Sequence, residues 1–506
     1  AACGDAKTKK GAGRVLLYLK KTLWVFFACL MAGFLAFSAF AMQDFLLVLA
    51  LAAVLAAAFF FAARRLAACS RPQALKWPLR AGYALFFVAL CVFGLLALPS
   101  PHSDLAAVYG AIPDVLDNFT LDGAYADYFV YYYNNIALLL LFSGLYALAG
   151  VFGFEFAGNA SMGLAVVFSA AVLACTVVLL CKLVAQAAGH GGRPLEALAL
   201  LLCALCLPFY FYTPVFYTDA FAMFFLVAEA WLLFRFSLSG RLAAAAACGA
   251  VAGLGVLMKG TLAVPVVALA ISICFMGSLA VKKRLAGLAA LAGAFALAVA
   301  VPAWLVLHSG LADFSRYDAL GLPVQTWMCM SVHGGGAYCQ DCVDYARSFP
   351  TMAARTQAMQ ARLAGFYQSY SLPEYLRFSA RKTATVWCDG SYEALLYLKW
   401  PQQANAFNAL FTGSCRGFWV WCNAYLVMLY GLNLAGVLAS FRQKEWDIRF
   451  FLRLSVFGLF LYFFLMEAAA RRALMVLPAL LLGAASALWH LASKDKARTG
   501  QPGRAA

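Results

Sequence analysis

Two charged residues interrupt long apolar runs of this sequence, and their chemical types could support proton transfer and phosphate binding. Asp104 directly follows one apolar run, and a carboxylate placed there can act as a general base toward a hydroxyl group. Lys259 lies between two further apolar runs and has no charged neighbour in sequence. A lone ammonium group in such surroundings needs an anion, and phosphate is a natural one. The pair predicts a site that deprotonates a hydroxyl and holds a phosphate.

Further polar residues in apolar surroundings could complete such a site. Two adjacent guanidinium groups, Arg471 and Arg472, precede the last apolar run and suit an anionic partner. The predicted phosphate ligands are Lys259, Arg471 and Arg472. The predicted substrate-binding residues are His102, Tyr133, Asn134, Asn135, Tyr217, Asp219, His333 and Glu467.

Most of these residues also have a purely structural interpretation. Asp104 and Asp219 could each cap the helix that follows it. Lys259 could extend its aliphatic chain to the membrane interface. The Asn134–Asn135 pair could belong to an interfacial aromatic belt with the tyrosines before it. Four nearby carboxylates compete with Asp104 for the role of base: Asp114, Asp117, Asp122 and Asp127. No Asp-x-Asp pair occurs among them, so metal ligation is only weakly supported.

The composition decides the class of protein in which these residues act. Of 506 residues, 65% are hydrophobic and 12% are charged, against about 45–50% and about 25% in soluble domains. A soluble globular protein is therefore excluded. The chain has a net charge of +16. In membrane proteins an excess of basic residues usually lies in the cytoplasmic loops, so this charge implies no nucleic-acid partner. The 16 cysteines lie largely in apolar runs, where cysteine behaves as a small hydrophobic residue.

Apolar runs of about 20 residues, the length of a membrane-spanning helix, recur along the chain and predict an all-α polytopic bundle of about 12–13 spans. The sequence divides into segments of different character. These are a basic cytoplasmic N-terminus (1–21), a transmembrane module (22–307) with a catalytic first external loop (100–130), an extracytoplasmic loop domain (308–415), C-terminal transmembrane helices (416–492) and a cytoplasmic tail (493–506).

Clusters of basic residues give the predicted orientation, because such clusters stay in the cytoplasm. They are Arg64, Arg65, Arg71, Lys76, Arg80, Arg235, Arg241, Lys282, Lys283, Arg284, Arg442, Lys444, Arg449, Lys494, Lys496 and Arg498. Residues 131–150 are apolar enough to span, but a full crossing there would invert every later loop. We therefore expect this run to be partly inserted or re-entrant, with a thirteenth crossing as the alternative. The candidate residues from Asp104 to Arg472 then fall on the outer side and are expected to converge on one cavity.

The motifs around these residues resemble the GT-C superfamily of membrane glycosyltransferases, especially the branch of protein O-mannosyltransferases and lipid A aminoarabinose transferases (glycosyltransferase family 39). The resemblance covers roughly residues 82–480. Asp104, with His102, fits the outer-side Asp after the first span of the family's module. Residues 258–261 look like its lysine element after an apolar helix, and residues 132–135 look like its Tyr-Pro-Asn-Asn element, with Tyr133 in place of proline. Residues 471–478 are similar to its late Arg-Tyr helix, with Arg472 in place of tyrosine.

This resemblance implies an inverting, metal-independent transfer of a sugar from a polyprenyl phosphate to an acceptor outside the cytoplasm. Asp104 would be the catalytic base, and the three cationic residues would bind the donor phosphate. The acceptor would be a glycan, lipid or protein of the cell envelope. No cofactor is expected, and the expected location is the bacterial plasma membrane with the active site on its outer face.

The segment 308–415 combines glycines, aromatic residues and cysteines that could shape an acceptor groove. His333 precedes three glycines, and Cys339 and Cys342 form a Cys-x-x-Cys pair. No second pair follows at zinc spacing, so a local disulfide is favoured over a zinc site. Cys329 or Cys388 could join that disulfide.

One alternative function from another class fits the same residues. A transporter or flippase of an anionic lipid or lipid-linked glycan would use Lys259 and the arginines for binding while Asp104 performs no chemistry. An assembly protein for envelope polymers, with no site at all, is a third interpretation. The absence of an inverted pair of broken spans in the sequence weakens the transporter interpretation.

Overall fold

The structure, a computed structural model, describes residues 2–187, 192–440 and 447–498, with side chains from residue 18 to residue 493 of these ranges. The described residues are mainly helical and contain no β-strand, which confirms the all-α polytopic class. Arg442 and Lys444 lie outside the described residues, as do residues 499–506 of the predicted tail. For Lys494, Lys496 and Arg498, only the backbone is described.

Long helices form the body of the protein, and short ones fill the two polar segments. The first part of the chain contains α1 (Ala2–Ala41), α2 (Phe45–Ala67), α3 (Lys76–Leu96), α4 (Ser103–Gly110), α5 (Ile112–Asn118), α6 (Ala126–Tyr131), α7 (Ile136–Val151), α8 (Met162–Ala187), α9 (Gly192–Ala204), α10 (Leu207–Tyr212), α11 (Thr218–Ser239), α12 (Leu242–Met258), α13 (Ala263–Cys274) and α14 (Val281–His308). The second part contains α15 (Tyr317–Leu320), α16 (Gln325–Met330), α17 (Gln340–Arg347), α18 (Met352–Ser369), α19 (Leu372–Trp387), α20 (Ala394–Leu398), α21 (Ala409–Thr412), α22 (Arg416–Ser440), α23 (Ile448–Leu465), α24 (Ala470–Ala473) and α25 (Leu477–Arg498).

Within the described ranges, ten helices are long and apolar enough to cross a membrane. The shorter apolar helices α12 and α13 add to the bundle, as does the α9–α10 pair, which breaks before Pro208. Small residues allow close packing between helices in a membrane. Gly249 of α12 shows this, because a Cβ atom there would overlap the backbone of Leu291 in α14. The protein is therefore an integral membrane protein with a helical bundle.

The two long polar segments meet at one end of the bundle, which we call the loop end. The backbone N–H of Leu121 donates to the carbonyl of Leu311 at 2.7 Å, and the N–H of Ser100 donates to the carbonyl of Trp400 at 2.7 Å. These bonds join residues 97–135 to residues 309–415. The first polar segment and the loop segment thus form one structure over the bundle.

Helix α7 lies along this loop end although its length and composition would allow it to cross. It packs against the short helices α4 and α5. Near its C-terminal end, the Tyr146 hydroxyl lies 2.7 Å from that of Tyr109 in α4. At its N-terminal end, Asn135 is bonded to Tyr217, which precedes α11. Both ends of α7 therefore contact loop-end elements, an arrangement that favours partial insertion over a full crossing.

Candidate active site

A cavity of about 1030 Å³ opens at the loop end, between the short helices and the ends of the bundle helices. Residues from seven separate parts of the chain line it. Ten of the twelve predicted site residues are among them: His102, Asp104, Asn134, Asn135, Tyr217, Asp219, Lys259, Glu467, Arg471 and Arg472. The predicted convergence on one cavity is therefore observed, whereas the roles of these residues are a matter for proposal.

Asp104 lies in the first turn of α4, where two tyrosine hydroxyls hold its carboxylate. Tyr128 donates to Oδ1 at 2.8 Å, and the Tyr217 hydroxyl lies 3.0 Å from Oδ2. Burial, followed by the charge of Asp104, raises the pKa of both tyrosines. Both hydroxyls therefore stay protonated at neutral pH and are available as donors. The carboxylate is fixed in direction and still lines the open cavity.

The side-chain amide of Asn135 forms hydrogen bonds with both of these tyrosines. Its amide nitrogen donates to the Tyr128 hydroxyl at 2.5 Å, and its amide oxygen lies 2.9 Å from the Tyr217 hydroxyl. Because Tyr217 carries a single hydroxyl proton, it donates to either Asn135 or Asp104 at a given moment. Asn135 is only 1% exposed, so its contacts within the site satisfy its amide. It positions the tyrosines, and through them Asp104.

The backbone before α7 explains why the asparagines face the cavity. The preceding helix α6 ends at Tyr131, and Tyr132 leaves the helical region with φ −121° and ψ 53°. A 3₁₀ turn over Tyr133–Asn135 then leads into α7. This break in the helix directs Asn134 and Asn135 inward and Tyr133 outward.

Lys259 and Asp219 form an ion pair on another wall of the cavity. The ammonium nitrogen lies 2.5 Å from Oδ1 of Asp219, whose carboxylate is 1% exposed. Lys259 stands where α12 ends and its backbone turns extended, with φ −153° and ψ 110°. Burial lowers the pKa of Lys259, and the charge of Asp219 opposes this effect. The interpretation of Asp219 as only a cap of the following helix is therefore incomplete, because its carboxylate forms an ion pair with Lys259.

The two arginines lie on α24, a single helical turn that follows an extended segment after α23. The Arg471 Nη1 atom donates to the Tyr397 hydroxyl at 2.8 Å, and its Nη2 atom lies 3.9 Å from Oδ2 of Asp104. The Arg472 Nη2 atom forms an ion pair with Glu467 at 2.7 Å. Each guanidinium group is thus oriented by a protein partner, and both line the cavity.

Two predicted substrate-binding residues do not line this cavity. Tyr133 points away from it, is 56% exposed and packs edge-on against Tyr317, with ring centroids 6.0 Å apart. His333 stacks on Phe366 with centroids 4.6 Å apart. Tyr133 stands between Tyr132 and Asn134, which do line the cavity, but the 3₁₀ turn directs its side chain elsewhere. Neither Tyr133 nor His333 lines the cavity, and their assignment to substrate binding stays a prediction.

Among the lining residues that escaped the sequence analysis are Tyr128, Glu393 and Tyr397. Tyr397 stacks on His102 with ring centroids 5.1 Å apart. Glu393 accepts from the backbone N–H of Ala470 at 2.7 Å and so anchors the start of α24. Burial raises the pKa of this carboxyl group. The sequence offers no signal for Glu393, which adopts a left-handed conformation with φ 65°. Tyr128 and Tyr397 occur in segments rich in tyrosine, so residue type alone does not single them out.

The cysteines of the loop segment divide between two places. Cys388 packs against α1, where its thiol contacts the Phe34 carbonyl at 3.8 Å, so it cannot join the Cys339–Cys342 pair. Cys329, Cys339 and Cys342 belong to one small apolar cluster. All four are free thiols in this structure. Ligand atoms of His333, Cys339 and Asp341 lie within 4.8 Å of one another, so these three residues of the described part of the chain could hold a metal ion.

Comparison with known protein families identifies a similarity over part of the chain. No curated protein matches the chain. A family model matches residues 139–305, a region that runs from α7 to α14 and contains Asp219 and Lys259. That model is the dolichyl-phosphate-mannose-protein mannosyltransferase family, and the match confirms over this region the resemblance to membrane glycosyltransferases of the GT-C kind.

Proposed function

We propose that this protein transfers a sugar from a polyprenyl-phosphate donor to an acceptor of the cell envelope on the extracytoplasmic side of a bacterial plasma membrane. The acceptor is a glycan, a lipid or a protein. One observation carries the proposal: the oriented carboxylate of Asp104 shares a cavity with three cationic side chains. A base for a hydroxyl and a clamp for a phosphate are the two groups that such a transfer requires.

The reaction follows from this arrangement as a single displacement. Asp104 takes the proton from the acceptor hydroxyl, whose oxygen forms a new bond to the anomeric carbon of the sugar. The bond from that carbon to the phosphate oxygen breaks, and the polyprenyl phosphate leaves with the electron pair. Attack from the side opposite the leaving group inverts the anomeric configuration. No step needs a metal ion.

Lys259, Arg471 and Arg472 would stabilise the charge that develops on the leaving phosphate. In this structure each of them already contacts a protein oxygen: Asp219, Tyr397 and Glu467, respectively. These partners fix the direction of the cationic groups before the donor arrives. Guanidinium and ammonium groups have several donor hydrogens, so phosphate can bind them while the protein contacts persist.

A turnover assay on the purified protein in lipid nanodiscs tests this function. The donors are a panel of polyprenyl-phosphate sugars, and the acceptors are envelope-derived glycans, lipids and proteins. We expect transfer from at least one donor, an inverted anomeric configuration in the product, and rates that do not depend on added Mg²⁺ or Mn²⁺. A product with retained configuration contradicts the mechanism. Translocation of the lipid-linked sugar without any glycosidic product would favour the transporter.

A further inference from the structure

A second group of chemically reactive side chains lies beside the cavity, in the loop that precedes α17. His333 belongs to a turn after α16, Cys339 is the residue just before α17, and Asp341 lies in its first turn. One ligand atom from each of the three lies within 4.8 Å of the other two. None of the three lines the cavity itself. The proposed sugar transfer therefore makes no use of them.

The surroundings orient two of these three ligands before any ion binds. The His333 ring lies nearly parallel to Phe366, at an interplanar angle of 19°. The Arg362 Nη2 atom binds Oδ2 of Asp341 at 2.5 Å, so Oδ1 stays available to a metal ion. Arg362 is itself held over the Tyr345 ring at 4.3 Å. Outer contacts of this kind fix the ligands of a metal ion and raise its affinity.

The donor set selects the ion. Imidazole nitrogen, thiolate sulfur and carboxylate oxygen are the three ligand types that Zn²⁺ accepts, usually in tetrahedral geometry. Mg²⁺ and Ca²⁺ prefer oxygen ligands alone. A fourth donor is available in sequence, because Cys342 follows Cys339 at the Cys-x-x-Cys spacing that zinc sites use. Binding would release the thiol protons to solvent, because zinc binds the thiolate form.

The loop that these ligands enclose forms part of the cavity wall. Ala337, Tyr338 and Gln340 lie between or beside the ligands in sequence and line the cavity. The carbonyl of Gly336 accepts from the N–H of Ala468 at 2.6 Å, next to Glu467. Gly334 and Gly336 have positive φ values of 57° and 82°, and a glycine-rich loop loses much conformational entropy on ordering. A metal ion would offset that loss.

We infer that His333, Cys339 and Asp341 bind a structural zinc ion, with Cys342 as the fourth ligand, and that this ion holds residues 333–342 against the active-site cavity. The inference does not depend on the proposed sugar transfer. A sequence search for zinc spacing misses this site because one ligand is a histidine six residues before the cysteine and the second cysteine pair is absent.

Metal analysis of the full-length protein tests the zinc site. The protein is purified with a peptide tag that binds no metal, equilibrated with Zn²⁺ and desalted, and its zinc is counted by plasma mass spectrometry. We expect about one zinc ion per chain. His333→Ala and Cys339→Ser should each lose most of it, whereas the matched controls His308→Ala and Cys69→Ser should keep it. Asp104→Asn should also keep zinc, so the outcome is separate from that of the transfer assay.

Substitution with Co²⁺ provides a second measurement that does not depend on the stability of a variant. Thiolate ligation should give the wild-type protein a charge-transfer band in the near ultraviolet. The inference is overturned if the wild-type protein binds no zinc, or if both ligand variants retain it. It is equally overturned if peptide mapping finds Cys339 and Cys342 joined as a disulfide in the isolated protein.

Discussion

At the scale of single residues, the lining of the cavity was predictable where a charge stands in an apolar sequence. Asp104, Lys259 and Arg471 attract attention because the membrane does not tolerate unpartnered charges. Tyr128 and Glu393 were not predictable in this way. Tyrosine is common at membrane interfaces, and Glu393 lies in a polar loop, so nothing in the sequence distinguishes either residue from its neighbours. Their roles depend on contacts made across the fold.

The hydroxyl of Tyr217 offers a test of how Asp104 is positioned. Tyr217→Phe removes a hydrogen bond to a carboxylate, and such a bond is worth about 1.5–3 kcal/mol. We expect kcat for sugar transfer to fall roughly 10- to 100-fold, with an unchanged donor Kd. Tyr109→Phe is the matched control, because its hydroxyl bonds to Tyr146, which does not line the cavity. Equal losses in both variants would show that Tyr217 has only a packing role.

The phosphate clamp can be tested by donor affinity. Lys259→Ala and Arg472→Ala each remove a cation from the cavity, and truncation of one partner of a buried charge pair costs about 2–5 kcal/mol. We therefore expect the Kd for a polyprenyl-phosphate sugar to rise at least roughly 10-fold in each variant. Lys282→Ala, at the opposite end of the bundle, should leave it unchanged. Unaltered affinity in both cavity variants would rule out the clamp.

At the scale of elements, long apolar runs predicted the bundle helices, because about 20 apolar residues have few alternatives to a membrane-spanning helix. The elements that build the site are shorter. Helix α24 is a single turn and the 3₁₀ turn at Tyr133–Asn135 has three residues, so neither has a periodicity that a sequence can display. Their conformations follow from contacts with distant segments, such as the bond from Ala470 to Glu393. The sequence therefore predicted most of the charged residues that line the cavity but not the directions of their side chains.

Helix α19 contains a buried lysine that should make stability depend on pH. Burial, and to a smaller extent Arg472, lowers the pKa of Lys382 to about 7, whereas a lysine in an unfolded chain has a pKa of about 10.4. Between these two values the unfolded state binds more protons than the folded state. Stability should therefore rise with pH in this window, by up to about 1.4 kcal/mol per pH unit.

Thermal unfolding in detergent checks this dependence. From about pH 7 to about pH 9, the Tm of the wild-type protein should rise relative to that of Lys382→Met, which cannot titrate. Lys399→Met, at an exposed position, should follow the wild-type curve. A constant difference between wild type and Lys382→Met across the range would show that Lys382 is charged in the folded protein.

At the scale of the whole molecule, the positive-inside rule predicted the arrangement better than apolar length alone. By length and hydropathy, residues 133–151 qualify as a membrane span. The distribution of basic residues along the chain instead predicts that both ends of this segment stay on one side of the membrane. The structure places both ends of α7 at the loop end, beside α4 and α11. With α7 set aside, the nine other long helices of the described ranges and the shorter α9–α10, α12 and α13 leave the two polar segments at the same end. That arrangement assembles one cavity from residues far apart in sequence.

Labelling from one side of the membrane tests the placement of α7. Single cysteines replace Tyr133 and Phe152, which flank α7 and are 56% and 83% exposed, in a background without other reactive cysteines. In oriented vesicles, an impermeant maleimide should label both positions from the same side and a Lys282→Cys control from the other. If Tyr133→Cys and Phe152→Cys are labelled from opposite sides, α7 crosses the membrane.

The measurement that tests the central claim most directly compares donor binding and turnover in Asp104→Asn. Loss of a general base typically costs about 10²- to 10⁴-fold in rate, so transfer should fall by that factor while the donor Kd stays close to the wild-type value. Asp114→Asn, which changes a carboxylate that does not line the cavity, is the matched control and should keep wild-type turnover. Transfer that persists in Asp104→Asn would contradict the account, because the acceptor proton would then go to another group.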